Sequence, residues 1–390
     1  MTVAAAIQYG KALARGLILP RPGPAPRPAA SGEPLVVAGM FRTGSGLGRA
    51  AQRCFEALQQ EGAAPVAVDL SELFHQADLA PSVPLQPFPQ TKRGTLILFA
   101  NPPEVERALM GLGLRRWHDW HIIGAWVWEL TVAPAEWQRQ ANMVSEIWAP
   151  SRFVADAFEA RYDRPVRIVP HHVPVPADPP PRHNAKLQVL TIADARSSLE
   201  RKNPVVAVEM FRAAFPADYP AELTVKCRNL ALFPEHAARL HKAIGGDTRI
   251  RLADTTLTDA EQAALLDSAD ILLSPHRSEG FGMNLAEAMA AGKCVIATGW
   301  SGNLAFMDET AAIPLPYSLV PVNDPASIYT PEPGTLWAEP DFAAGVAALQ
   351  ALAADPERRR TLGAKARQLV SEQLGTGIFR EALEGRPLPA

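Results

Sequence analysis

Short apolar runs without polar alternation punctuate the first half of the chain: "LVVAGMF" from Leu35, "PVAVDL" from Pro65, "GTLILFA" from Gly94, "HIIGAWVW" from His121 and "EIWAP" from Glu146. A strand with one wet face alternates apolar and polar residues, whereas a parallel strand covered by helices on both faces reads as a continuous apolar run. Helical stretches such as Arg49 to Glu61 separate the runs, which predicts a doubly wound α/β unit. A second series follows, "LQVLTIA", "ELTVKC", "TRIRLA", "DILLSP" and "CVIATG", with helices expected at Asn203 to Phe215 and Asp259 to Asp267. At 390 residues the chain exceeds what one hydrophobic core usually serves. The expected fold class is therefore α/β, with two Rossmann-like doubly wound domains facing across a cleft. Residues 1–33 read as a proline-rich N-terminal extension, 34–175 as the first domain, 176–186 as a linker and 187–365 as the second domain. Residues 366–390 read as a C-terminal helix and tail, with a return to the first domain as one option.

A formal net charge of -3 with 47% hydrophobic residues describes an ordinary globular chain and gives no sign of nucleic-acid binding. Cys54, Cys227 and Cys294 lie far apart without metal-ligand spacing, which suits a reducing compartment. Nothing approaches the roughly 20 apolar residues needed to span a bilayer, and Lys11 and Arg15 interrupt any signal-peptide core, so a cytoplasmic location is expected. Before Leu35, a helix is expected around Val3 to Leu17, followed by "LPRPGPAPRPAASGEP", which cannot pack as helix or sheet. Lys11, Arg15, Arg21 and Arg27 would favour a weak peripheral contact with an anionic inner membrane face, the alternative being a leader without a role.

The chemistry concentrates in "SPHRSEGFGMNLAEAMAAGKCVIAT", residues 274–298. Ligands of open parallel sheets sit beyond the C-terminal strand ends, where helix N-termini present free amides. Gly280 and Gly282 allow close backbone approach, and a helix beginning near Met283 offers unpaired amides to a diphosphate. Glu287, in the second turn, leans back toward the helix mouth and can accept bonds from the hydroxyls of a ribose. Glu279, on the loop opposite, would meet a second polyol. A diphosphate flanked by two sugars describes a nucleotide sugar. Against this stands the reading in which the acids merely satisfy the helix dipole and the glycines merely turn the chain.

"EGFGMNLAE" resembles the E-x7-E motif of family-4 glycosyltransferases, with Glu279 and Glu287 at its ends. The likeness extends through "RKNP" at 201–204, "LTVK" at 223–226, "EIWAPSRFVADAF" at 146–158 and "GWSGNLAFM" at 299–307, and covers most of residues 35–310. It implies the two-domain GT-B fold, with the acceptor on the N-terminal domain and a nucleoside-diphosphate sugar on the C-terminal one. It also implies retention of anomeric configuration and neither a cofactor nor an obligatory metal; the chain contains no D-x-D triplet. The family pattern places a basic pair six residues apart on the donor diphosphate, a spacing that Arg196 and Lys202 have, with Arg201 able to share the role. Such cations would stabilise the departing diphosphate. Gly280, Phe281, Gly282, Met283 and Asn284 complete the expected donor loop. Arg277, His276 and Asn303 are further candidates, and Lys226 reads equally well as a snorkelling surface residue.

In "RTGSGLGRAA", Gly44 and Gly46 occupy the glycine-rich loop that family members bring to the reacting sugar or diphosphate. A rival reading takes Gly46, Gly48 and Ala51 as a dinucleotide fingerprint with Asp69 on the ribose, which would make the protein an NAD-dependent oxidoreductase. "GAWVWELTVAP" resembles the segment where many family members carry His-Glu; Trp128 replaces the histidine and Glu129 is kept. Glu129 is a candidate for orienting or deprotonating an acceptor hydroxyl. Six of the eight tryptophans lie between Trp117 and Trp148 and read as core before sugar platforms. His171 and His172 read as structural. The expected activity is transfer of a hexose, of mannosyl type by family likeness, from a GDP- or UDP-sugar to a glycan, lipid-linked or small-molecule hydroxyl, with the departing phosphate taking the acceptor proton. A catalytically idle sugar-nucleotide-binding module and a nucleotide-sugar epimerase remain as alternatives.

Overall fold

The computed structural model describes residues 33–113, 119–177 and 185–386. The expectations for the basic, proline-rich residues 1–32 and for most of the linker lie outside the described residues. The first sheet is built from β1 (Leu35–Gly39), β2 (Val66–Asp69), β3 (Gly94–Phe99), β4 (Trp120–Ala125), β5 (Glu146–Ala149) and β6 (Val166–Ile168). Its order is β2-β1-β3-β4-β5-β6, with every pairing parallel. All six residues of β3 and of β4 are buried, as continuous apolar runs require. The second sheet contains β7 (Leu187–Asp194), β8 (Ala221–Arg228), β9 (Ile250–Asp254), β10 (Ile271–Ser274), β11 (Cys294–Thr298) and β12 (Ile313–Leu315). Its order, β12-β11-β10-β7-β8-β9, is again wholly parallel. The order reverses between β1 and β3 in the first sheet and between β7 and β10 in the second, which opens a crevice at each set of C-terminal ends.

Local signals place the helices. Ser45 caps helix Gly46–Gln60 by accepting from the Gly48 amide at 3.1 Å. Thr258 and Glu261 form a capping box on helix Asp259–Ser268. Pro204 starts helix Pro204–Ala214 after Asn203, which takes a left-handed φ of 56°. "HIIGAWVW" is only partly strand, because β4 ends at Ala125 and Trp126 to Trp128 continue as irregular chain.

One element has no counterpart in the sequence reading. Strands β13 (Tyr317–Pro321) and β14 (Leu336–Pro340) form an antiparallel hairpin, and its connecting segment reaches the first domain. There Tyr329 packs edge-on against Trp128, with ring centroids 5.6 Å apart, and Glu332 pairs with Arg161. The C-terminal end crosses as well. Helix Ile378–Leu383 brings Phe379 onto Trp148 at 6.2 Å, the Gly377 amide donates to Glu61 at 2.6 Å, and His172 bonds the Leu374 carbonyl at 3.0 Å. Among the described residues no helix is long and apolar enough to cross a membrane.

Candidate active site in the interdomain cleft

A cavity of about 260 Å³ lies between the C-terminal edges of the two sheets. The loop from Glu279 to Gly282 follows β10 and forms one wall, with helix Met283–Ala290 starting at its end. Gly282 has φ 93°, a left-handed conformation that a side chain would strain. Met283 and Asn284 line the cavity, and their first-turn amides precede the helix's own bonding, an arrangement suited to an anion.

Beside them sits a buried ion-pair cluster. Arg201, 2% exposed, donates to Glu279 Oε2 at 3.1 Å and to the Ser278 carbonyl at 2.7 Å, and Glu129 lies 3.8 Å from its other nitrogen. Lys202 pairs with Glu279 Oε1, and the Tyr329 hydroxyl donates to Glu129 at 3.0 Å. Burial alone would raise the Glu279 carboxyl; the charges of Lys202 and then Arg201 overcome it and hold the group at about 2. For Lys202 the balance goes the other way, and burial holds it below its ordinary value despite the pairing with Glu279. Strained backbone holds the cluster in place. Ser198, φ 62°, caps the short helix Leu199–Lys202, and Ser301, φ 80°, accepts from the Glu279 amide at 2.8 Å.

Several sequence-derived candidates meet here. Gly44, Gly46, Glu129, Arg201, Lys202 and Lys226 line the cavity together with the 279–284 loop and helix start. Gly44 lies against the second domain, since a Cβ there would stand 3.1 Å from Arg228 Nη1 and 3.4 Å from Thr256. Glu287 borders a neighbouring cavity of about 430 Å³ and carries an unexpected partner: Arg49 of the first domain donates to it at 2.8 Å and to Asn284 Oδ1 at 2.8 Å. Burial raises the Glu287 carboxyl, with Arg49 opposing.

Other candidates lie elsewhere. Arg196 is exposed on the turn after β7 and does not line the cavity, because it is the adjacent helical turn that carries Arg201 inward. Arg277 pairs with Glu339 at 2.6 Å, donates to the Glu200 carbonyl and lies over Trp337, so it anchors the β14 hairpin. Asn303 and His276 are fully buried behind the loop. They bond each other at 3.1 Å, and Asn303 also donates to the Thr298 carbonyl. Trp128 turns into the core, where its indole donates to the Val132 carbonyl at 2.8 Å. In the dinucleotide reading Asp69 would hold a ribose; here its carboxylate accepts from the Phe41 amide, the Ser71 amide and the Ser71 hydroxyl. His171 lines the cavity and packs edge-on against Phe281, kept neutral by burial at about 4.

The loop has no room for an added methyl at Gly302, whose Cβ would meet the Gly280 carbonyl and stand 2.7 Å from the Glu279 carbonyl. Gly302→Ala is therefore expected to displace the Glu279 loop and to destabilise the protein by about 2 to 3 kcal/mol, read as a lowered melting temperature.

Two parallel six-stranded sheets with a charged cleft between their C-terminal edges define the GT-B architecture of glycosyltransferases. Residues 151–376, more than half of the chain, match a family model described as Family 4 Glycosyltransferase in conflict systems, and the chain belongs to that family. No curated protein matches. Among solved structures, Anabaena HepE in complex with UDP and glucose is similar at TM-score 0.62 and 12% identity, over 90% of this chain and 99% of that one. Sucrose-phosphate synthase from Thermosynechococcus elongatus is similar at TM-score 0.58 and 17% identity, over 90% of this chain and 97% of the other. A point mutant of S. aureus TarM, in complex with Fondaparinux, alpha-GlcNAc-glycerol and UDP, is similar at TM-score 0.57 and 12% identity over 76% of this chain; the match spans 56% of TarM.

Proposed function

We propose that the protein transfers a hexose from a nucleoside-diphosphate sugar to a hydroxyl acceptor with retention of configuration. The observation that carries this reading is the convergence, in one cleft, of a free helix N-terminus with Arg201, Lys202 and Glu279. In this reading the diphosphate lies against the Met283 and Asn284 amides and shares Lys202. Glu279 holds hydroxyls of the transferred sugar, and Glu287 holds those of the ribose. Charge developing on the leaving diphosphate is then met by preorganised cations and dipoles in a site of low dielectric. Glu129 is engaged by Tyr329 and Arg201, an arrangement that favours an orienting role over a nucleophilic one. Same-face attack is the mechanism proposed, with the departing phosphate oxygen taking the acceptor proton as the new glycosidic bond forms. UDP is the first base to test, because the HepE and TarM structures hold it.

Thermal-shift titration with UDP, GDP, ADP and their sugar conjugates tests the reading, with NAD as control. One nucleoside diphosphate should raise the melting temperature by several degrees, and Lys202→Ala and Glu287→Ala should each abolish the shift. Stabilisation by NAD alone, unchanged in both variants, would sink it.

A further inference from the structure

The charges around the cleft are almost all compensated within the protein. Arg201 and Lys202 are engaged by Glu279, Arg49 by Glu287 at 2.8 Å, Arg228 by Asp194 at 2.7 Å, and Asp259 by Arg53 at 3.5 Å. Lys226 is the exception. It lines the cavity from β8, is only 7% exposed, and has no hydrogen-bond or ion-pair partner among the described residues. Two residues on, and so on the same face of the strand, lies Arg228, 5% exposed. Its Nη1 makes no hydrogen bond, the Asp78 carboxylate being 3.8 Å away. Burial, with Arg228 and Arg49 adding repulsion and Asp194 opposing them, lowers the Lys226 ammonium to about 8, which still leaves it largely protonated at pH 7. A cation on a largely buried side chain, opening on the cavity without an ion-pair partner and beside a second, orphaned donor, is a ready site for an anion.

We propose that Lys226 binds a phosphate oxygen of the donor's nucleoside diphosphate, with the free Nη1 of Arg228 as a second donor. The proposal rests on the reading of the cleft as a donor site. Phosphate fits better than a base carbonyl or a sugar hydroxyl, because only an anion compensates a fixed charge. The basic pair expected from sequence to hold the diphosphate is short of free charge: Arg196 faces solvent and Lys202 is tied to Glu279. Lys226 and Arg49 line the same cavity, and Arg49 holds Glu287, the acid read for the ribose, which makes the α-phosphate the group assigned to Lys226.

Calorimetric titration of wild type, Lys226→Met and Lys226→Arg with UDP, GDP and ADP tests this, followed by the monophosphate and nucleoside of whichever base wild type accepts. Lys226→Met should lose at least about tenfold in affinity for both nucleotides, while Lys226→Arg stays within about threefold and nucleoside binding is unchanged. Without ligand, Lys226→Met should melt above wild type, since it removes a buried charge; Lys226→Gln serves in its place if the methionine variant does not fold. Nucleotide affinity unchanged in Lys226→Met, or an equal loss for the nucleoside, overturns the phosphate role and leaves the donor site standing. Failure of wild type to bind any of the three diphosphates overturns the donor reading and the proposal with it.

Discussion

Replacing Glu279 with glutamine is expected to destabilise the protein by about 3 to 5 kcal/mol at pH 7, the usual cost of leaving a buried charge without its partner. Arg201 is the charge in question. It is 2% exposed, and once Glu279 is neutral its nearest carboxylate is Glu129 at 3.8 Å. The carbonyls of Ser278 and Ser197 still accept from the guanidinium, which places the effect near the lower end of that range. The pH dependence follows from the lowered carboxyl, about 2 in the folded chain against an ordinary value of 4.5. A carboxyl depressed by folding contributes stability that is complete above the unfolded value and is lost as pH falls toward the folded one. The shift corresponds to about 3 kcal/mol. Urea denaturation at stepped pH should therefore show wild type well above Glu279→Gln from pH 5 upward, with the gap closing between about 4.5 and 2. A gap that persists unchanged to pH 2 would mean that the carboxylate charge is not what holds Arg201.

The cluster shows which parts of a site a linear sequence discloses. Glu279 to Asn284 are contiguous, and loop and helix start are both written in their glycines and small residues, so the wall they form was legible. Both sheets were legible for a similar reason, since burial on two faces leaves its mark within each strand. The β13–β14 hairpin left no such mark, because β13 is largely exposed and ends at a proline. Nor did Tyr329 or Arg228, which reach the cleft only through tertiary packing. The family pattern singles out Arg196 with Lys202, yet a one-turn helix directs Arg201 into the cleft and leaves Arg196 in solvent. A six-residue interval specifies no direction when a turn with a positive-φ serine lies inside it.

Arg49→Met is expected to tighten nucleoside-diphosphate binding by about 10- to 100-fold, the worth of charge-assisted hydrogen bonds that the ligand no longer has to break. In sequence Arg49 is one more arginine on an amphipathic helix. In the fold its two terminal nitrogens hold Glu287 and Asn284 at 2.8 Å each across the domain boundary, and its Nε is buried without a partner. If Glu287 accepts the ribose hydroxyls, it cannot keep Arg49 in the same geometry, so the pair competes with the donor. Apparent affinity is reduced by the fraction of molecules in which the carboxylate is free. Methionine keeps most of the arginine stem and its packing while removing both bonds. The burial that already raises the Glu287 carboxyl would then act unopposed by Arg49, so the gain should shrink as the solution is acidified. Calorimetry with the nucleoside diphosphate at pH 6 and pH 8 reads both effects. Weaker binding in Arg49→Met at both values would show instead that Arg49 leaves Glu287 and follows the donor, which would make it a ligand-binding residue of the closed cleft.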